Sequence, residues 1–180
     1  PVFARRGVRC GVIPNVLDLQ RFAPCPDSPL RTEKPHLVVT RNLERIYGVD
    51  TAIRAFEIVV RKCPGARLTI AGSGSEESML RALAHELALD DSVNFCGRLT
   101  NEQVAVLYQS ADLLLNASRE DNSPNSLIEA LACGVPVVST NAGGIAILVE
   151  NRVSALLVPV DDHLAMGAAA LEILESEELR

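Results

Sequence analysis

The sequence is poor in the aromatic residues that build stacking surfaces. Its 180 residues contain no Trp, two Tyr and four Phe, so aromatic residues make up 3% of the chain. An aromatic platform for nucleic-acid bases or for the faces of sugars is therefore not expected. The formal net charge of -6 also excludes a nucleic-acid partner from the interpretation, because such binding needs a basic surface.

Long apolar runs and metal-binding patterns are also missing. No run reaches the length of a transmembrane helix, and no basic start with an apolar segment predicts a secretory signal. The cysteines are odd in number, and neither they nor the histidines show metal-ligand spacing. They are Cys10, Cys25, Cys63, Cys96 and Cys133, with His36, His85 and His163. We expect reduced thiols, no metal and no cofactor, and a cytoplasmic protein.

The first 35 residues differ in composition from the rest of the chain. They are rich in Pro and Arg and show no long periodic element, so we predict that residues 1–35 are an inter-domain linker and lead-in segment. A single domain is predicted over residues 36–180. Because the chain starts without Met, we expect it to be a piece of a longer protein.

Within that domain, short branched-aliphatic runs alternate with segments of helical periodicity. The predicted strands are His36–Thr40, Arg67–Ala71, Val93–Cys96, Asp112–Asn116, Pro136–Thr140 and Ala155–Pro159. The predicted helices are residues 49–63, Glu76–Leu89, a helix opened by the capping box Thr100–Gln103, Ser126–Cys133 and Asp162–Glu175. This alternation predicts a Rossmann-like three-layer α/β domain with a six-stranded parallel sheet.

Sheets of this kind bind ligands at the carboxyl ends of their strands, and glycines lie in two of those loops. Gly72 and Gly74 follow a predicted strand and open a helix, and Gly143 and Gly144 follow a later strand. Both pairs suit either a close backbone approach to a ligand or an ordinary tight turn. The dinucleotide fingerprint and the P-loop are excluded, because the third glycine and the Lys are missing.

The segment from Ser118 to Glu129 carries the strongest chemical pattern. Pro124 suits the first turn of a helix that Asn122 or Ser123 would cap, which leaves backbone N–H groups free to bind an anion. Those groups belong to Asn125, Ser126 and Leu127, and the flanking acids are Glu120, Asp121 and Glu129. The acids suit sugar hydroxyls, although acids beside a helix start also serve simply to complement its dipole. Arg41, just past the first strand, suits a diphosphate or a solvated surface.

Five segments in this order resemble one family. They are IPNVLDLQRFAP (13–24), RNLERIYGVDTAIRAF (41–56), LTIAGSGSEESMLRAL (68–83), VNFCGRL (93–99) and EDNSPNSLIEALACGVPVVSTNAGG (120–144). Together they look like the C-terminal half of a family 4, GT-B-fold retaining glycosyltransferase, and they cover nearly the whole chain. The resemblance implies a Rossmann-like domain that binds a nucleotide-sugar donor, UDP- or GDP-linked, without a metal.

The resemblance also implies roles for individual residues. Asp121 and Glu129 match the family's two spaced acids, so Glu129 should hold the ribose hydroxyls and Asp121 the hydroxyls of the transferred sugar, with Glu120 adjacent. Arg41 matches the phosphate-binding Arg, and the remaining expected donor contacts come from four loops. These are Gly72 and Gly74; Gly97, Arg98 and Leu99 beside the base; Asn125, Ser126 and Leu127 at the phosphates; and Gly143 and Gly144.

Two departures from the family pattern stand out. Tyr47 occupies the place of a Lys that helps to neutralise the diphosphate, and Arg45 is the nearby candidate to replace it. Loss of one cation should weaken diphosphate binding about tenfold. The acid that often follows the double glycine is replaced around Ala146 and Ile147.

The expected partner is an N-terminal acceptor-binding domain, through which the whole protein would associate peripherally with a membrane. Without that domain the chain should bind nucleotide but not transfer sugar. Two alternatives stay open at this point: a non-catalytic nucleotide-binding or regulatory domain, and a different GT-B enzyme such as a nucleotide-sugar epimerase.

Overall fold

The computed structural model describes residues 15–25 and 34–176. Six strands lie in this part of the chain: β1 His36–Thr40, β2 Arg67–Ala71, β3 Val93–Gly97, β4 Leu113–Asn116, β5 Val137–Thr140 and β6 Leu156–Val158. The helices are α1 Val49–Lys62, α2 Glu77–Glu86, α3 Asn101–Gln109, α4 Asn125–Ala132, α5 Ile145–Leu148 and α6 His163–Glu175. One 3-10 turn, Arg45–Tyr47, lies between β1 and α1.

The strands form one sheet in the order β3-β2-β1-β4-β5-β6, and every pair is parallel. The predicted six-stranded parallel sheet is therefore confirmed. The bounds of β1 and β2 are those predicted from their apolar runs, and the other strands differ by single residues at their ends.

Helices cover both faces of the sheet, as the continuously apolar strands predict. Leu37 and Val39 of β1 pack in a core with α1, α2 and α6. Val38, which points to the opposite face, belongs to a second core with α3 and α4. The domain thus has the three layers expected for a Rossmann-like fold.

Side chains cap the starts of α3 and α6, and the end of α2 differs from the prediction. Thr100 and Gln103 form the expected capping box, and Asp162 caps α6 by accepting a hydrogen bond from the backbone N–H of Ala165. The second helix, predicted to reach Leu89, ends at Glu86 because Ala88 has a left-handed backbone with φ of 55°.

Part of the predicted linker packs on this domain. Phe22 is buried, with its ring centroid 6.4 Å from that of Tyr108, and the side chain of Gln109 donates a hydrogen bond to the Ala23 carbonyl. Phe22 and Ala23 therefore lie against α3. Residues 1–14, including Cys10, and residues 26–33 of that linker lie outside the described residues.

The strand order places a topological switch between β1 and β4. The chain builds β1, β2 and β3 outward on one side and then returns to place β4 beside β1. Loops that leave neighbouring strands in opposite directions open a crevice at their carboxyl ends, where such sheets bind ligands. The segment after β1 begins with Arg41, and the segment after β4 contains Asp121. In the described part of the chain, no helix is long and apolar enough to cross a membrane.

Candidate functional site

Arg41 and Asp121 meet at this switch point. Arg41 Nη2 donates to an Asp121 carboxylate oxygen and, at 3.0 Å, to Ser118 Oγ. Both charged side chains are only 12% exposed. A charge this buried is stable only when it is paired and hydrogen-bonded, so the two loops are tied together by an ion pair that solvent barely reaches.

The ring of Tyr47 lies against the guanidinium group of Arg41. The guanidinium carbon lies 4.3 Å from the centroid of the Tyr47 ring, within the range of a cation–π contact. Burial lowers the pKa of Arg41, and the nearby Tyr47, Tyr108 and Glu129 oppose that shift. A guanidinium stays protonated in proteins, so the site keeps a positive charge.

Glu129 lies on α4 beside a buried tyrosine that the sequence analysis did not select. The Tyr108 hydroxyl is 3.5 Å from Glu129 Oε2 and donates to the Ser126 carbonyl at 3.1 Å. It also forms a hydrogen bond with Thr40 Oγ1. Burial raises the pKa of Glu129, while Tyr108 and Arg41 lower it. One signal in the sequence could have indicated Tyr108, namely a tyrosine on the apolar face of a predicted helix. A tyrosine hydroxyl that is buried there needs a hydrogen-bond partner.

Two buried polar atoms in this region have no hydrogen-bond partner among the described residues. They are Arg41 Nε and Ser126 Oγ. Ser126 lies in the first turn of α4 and is 5% exposed. An unpaired buried donor costs about 1–3 kcal/mol, so such atoms typically mark a place that a ligand or water completes.

The start of α4 differs from the prediction in two ways. Pro124 occupies the capping position without any side-chain cap, so neither Asn122 nor Ser123 caps the helix. Ser123 instead accepts hydrogen bonds from Asn15, which also donates to Asn125 Oδ1 at 2.6 Å. The Leu127 N–H, expected to be free, donates to the Pro124 carbonyl at 3.2 Å. The backbone N–H groups of Asn125 and Ser126 are the ones in this turn that donate to no acceptor among the described residues.

The predicted glycines let the loops of the site approach one another closely. A Cβ on Gly72 would lie 1.9 Å from the Arg41 carbonyl oxygen, and one on Gly143 would lie 2.1 Å from that of Asp121. Gly74 and Gly144 are as tightly packed, against the carbonyls of Leu43 and Asn122. Any side chain at these positions would displace the backbone that carries Arg41 or Asp121.

The other predicted site residues form no hydrogen bond with Arg41 or Asp121 in the described part of the chain. Gly97 is linked to the loop of Gly72 and Gly74, because its carbonyl accepts a hydrogen bond from the Gly72 N–H at 2.8 Å. Arg98, Arg45 and Glu120 are exposed, and Leu99 lines an apolar groove between β3 and α3. Among the described residues, no hydrogen bond or ion pair joins these four side chains to Arg41. A separate open cleft of about 960 Å³, lined by Asn141, lies between α5 and β6.

Comparisons with known proteins bear on the identity of this site. The sequence model of the family "Glycosyl transferases group 1" matches residues 25–180. The chain is 32% identical over 143 residues to N-acetyl-alpha-D-glucosaminyl L-malate synthase of Bacillus anthracis, covering 79% of this chain and 37% of that protein. It is 31% identical to D-inositol 3-phosphate glycosyltransferase of Saccharomonospora viridis, covering 94% and 42%. The chain thus spans about two fifths of the length of these relatives.

A solved structure shares the fold. The Anabaena protein HepE, determined in complex with UDP and glucose, superposes with a TM-score of 0.85 at 23% identity, over 98% of this chain and 51% of that one. One of the two relatives is named a synthase and the other a glycosyltransferase. The family match over most of the chain, with the sheet and crevice described above, identifies this chain as a member of the glycosyl transferases group 1 family.

Proposed function

We propose that this chain is the donor-binding part of a retaining glycosyltransferase, which transfers a hexose from a nucleotide-sugar to a glycan, lipid or small-molecule acceptor. One observation carries this function: Arg41 lies buried at the switch point, and no residue that the structure describes is a partner for its Nε–H. The loop that carries Asp121 leads into the first turn of α4, where the Ser126 hydroxyl also has no partner among the described residues. A diphosphate supplies the acceptor oxygens that such donors need.

Each group then has a role in holding the donor. Arg41 and the amides of Asn125 and Ser126 bind the diphosphate, and Glu129 accepts hydrogen bonds from the ribose hydroxyls. The hydroxyls of the transferred sugar lie near Asp121, with Glu120 as the adjacent, exposed carboxylate. The loops are kept close together by four glycines, Gly72, Gly74, Gly143 and Gly144. The segment Gly97–Leu99, which includes Arg98, runs beside the base of the nucleotide.

The transfer itself asks for charge stabilisation rather than a protein nucleophile. The bond between the anomeric carbon and the diphosphate oxygen breaks as the acceptor oxygen bonds to that carbon on the same face. The departing diphosphate takes the proton of the acceptor hydroxyl. Arg41 and the helix amides stabilise the negative charge that grows on the leaving phosphate, which is the usual source of rate enhancement in such a step.

The acceptor site belongs to a second domain that precedes residues 36–180, with residues 1–35 as the connection. In the whole protein, that domain supplies the contact with a membrane surface at the cytoplasmic face. The 180-residue chain alone should therefore bind nucleotide without transferring sugar to an acceptor.

Calorimetric titration of the chain with UDP, GDP and ADP, each beside its sugar-linked form, tests this function. UDP comes first because HepE was determined with it. We expect one nucleotide to bind, binding to be lost in Glu129→Ala, and binding to be weakened in Arg41→Ala. Loss of one charge-assisted contact should weaken binding by about tenfold.

Arg61→Ala is the matched control, because Arg61 is 74% exposed on α1 and pairs with Glu57 on the same helix. It removes the same side chain from a surface that has no part in the site, so binding should stay at the wild-type level. Equal affinity in the Arg41→Ala and Arg61→Ala proteins would contradict the role given to Arg41. No binding of any nucleotide at millimolar concentration would contradict the proposed function as a whole.

A further inference from the structure

The proposed donor contacts give no role to the ring of Tyr47, which lies against the Arg41 guanidinium. Tyr47 is partly buried against the core that contains α1 and α2. Its ring centroid lies 4.3 Å from the guanidinium carbon of Arg41. Arginine stacks on aromatic faces because its delocalised cation is attracted to the ring and is weakly hydrated.

The polar contacts of Arg41 leave its orientation incompletely fixed. Its Nη2 atom is held by Ser118 and Asp121, whereas its Nε atom is buried without a partner in residues 15–25 and 34–176. A guanidinium held through one nitrogen alone can still rotate about that contact. A ring against its face removes this rotation, and the direction of the Nε–H is then determined by the protein before a ligand arrives.

The turn that carries Tyr47 is itself firmly built. The Arg119 side chain donates to the Arg45 carbonyl, and its backbone N–H donates to the Ile46 carbonyl at 2.8 Å. Arg119 also forms ion pairs with Asp50 and Asp161 at 2.9 and 2.7 Å. The turn that carries Tyr47 is therefore joined through Arg119 to the loop that follows β4, two residues before Asp121.

We propose that Tyr47 is a positioning residue, which stacks on Arg41 and holds the guanidinium with its unpartnered N–H ready for the donor diphosphate; this role rests on the proposed function. The competing interpretation treats Tyr47 as the mark of a lost cation. The two interpretations give opposite signs for one substitution. Tyr47→Lys should weaken diphosphate binding if the ring positions Arg41, and strengthen it if the site only lacks a charge.

The experiment compares a nucleoside diphosphate with its nucleoside, using UDP with uridine, GDP with guanosine and ADP with adenosine. Calorimetry on the wild-type chain first selects the pair that binds, and the variants Tyr47→Phe, Tyr47→Leu and Tyr47→Lys are then titrated with that pair. We expect Tyr47→Leu to weaken the diphosphate about fivefold, as for a partly desolvated cation–π contact. Tyr47→Phe keeps the aromatic ring, so its affinity for the diphosphate should equal that of the wild-type chain.

Two further readouts separate positioning from general support of the fold. Nucleoside affinity should be the same in all the Tyr47 variants, because Arg41 contacts only the phosphates. In an Arg41→Ala background, Tyr47→Leu should cause no additional loss, since the ring then has nothing to hold. Tyr47→Lys should weaken the diphosphate at least as much as Tyr47→Leu, because it adds a like charge beside Arg41.

The outcomes distinguish this inference from the function on which it rests. Tighter diphosphate binding in Tyr47→Lys, unchanged binding in Tyr47→Leu, or equal losses for nucleoside and diphosphate would each overturn the positioning role alone. A wild-type chain that binds none of the nucleoside diphosphates would overturn the proposed function and the positioning role together.

Discussion

Removal of one hydroxyl group, in Tyr108→Phe, tests whether the buried tyrosine joins the parts of the site. Tyr108 has a single hydroxyl hydrogen, which it donates to the Ser126 carbonyl at 3.1 Å. Thr40 must therefore be the donor in the short hydrogen bond between the two hydroxyls. Thr40 precedes Arg41 and Ser126 lies at the start of α4, so this hydroxyl joins the two loops that carry the charges of the site.

The expected cost follows from these bonds. Phe fills the same space, so the core packing around Phe22 is kept and no cavity forms. Two hydrogen bonds are lost, each with a net contribution of about 1 kcal/mol. The free energy of unfolding should therefore fall by about 2 kcal/mol, which lowers the midpoint of thermal unfolding by about 6 °C for a domain of this size.

The measurement is chemical and thermal unfolding of the wild-type chain and two matched variants. Tyr47→Phe, the chain's other Tyr to Phe change, removes a hydroxyl that forms no hydrogen bond among the described residues, so it should leave the unfolding midpoint unchanged. Thr40→Val removes the second hydroxyl of the pair. The double variant with Tyr108→Phe should cost less than the sum of the two single changes, because both remove the same bond.

Equal unfolding midpoints for Tyr108→Phe and Tyr47→Phe would refute this reasoning. They would mean that the buried hydroxyl contributes no net stability and that Ser126 and Thr40 find other partners. Strict additivity in the double variant would refute the bond between Thr40 and Tyr108.

Three further outcomes are expected. Burial raises the pKa of Glu129. Nucleotide affinity, measured by calorimetry, should therefore begin to fall on acidification at a higher pH than it would for a carboxylate of ordinary pKa. This pH dependence should be absent in Glu129→Gln. Burial lowers the pKa of His36, so the folded state favours the neutral ring; the free energy of unfolding in urea should fall as the pH drops below about 6.5, less so in His36→Gln. Gly143→Ala should lower the free energy of unfolding by about 2–4 kcal/mol, because φ is 54° and the new Cβ meets the Asp121 carbonyl. Gly97→Ala, where φ is 73° but the space around the Cβ is open, should lower it by about 1 kcal/mol. Similar losses in the two variants, measured by unfolding in urea, would contradict the steric argument.

The predicted elements agree with the structure where the local pattern is strong. The apolar runs of β1 and β2 gave their bounds without error, because strands covered on both faces read as continuous apolar sequence. The start of α4 was less well predicted, since Asn122, Ser123 and Pro124 all suit a helix start. Contacts from Asn15, more than 100 residues away in sequence, involve Ser123 and are invisible to a local reading.

The site shows the same division. The residue types of Arg41, Asp121 and Glu129, and their places just after strands or at a helix start, are local properties and mark them as candidates for diphosphate and sugar binding. The sequence alone also determined the order of the elements and hence the Rossmann-like fold. The tertiary structure decided that Arg41 pairs with Asp121, that its guanidinium stacks on Tyr47, and that a buried Tyr108 lies beside Glu129. Arg41 and Asp121 are 80 positions apart in sequence, and they meet because β4 lies beside β1. Burial at this point strengthens the electrostatic attraction between the two charges. The contact and the burial arise only when the whole sheet assembles.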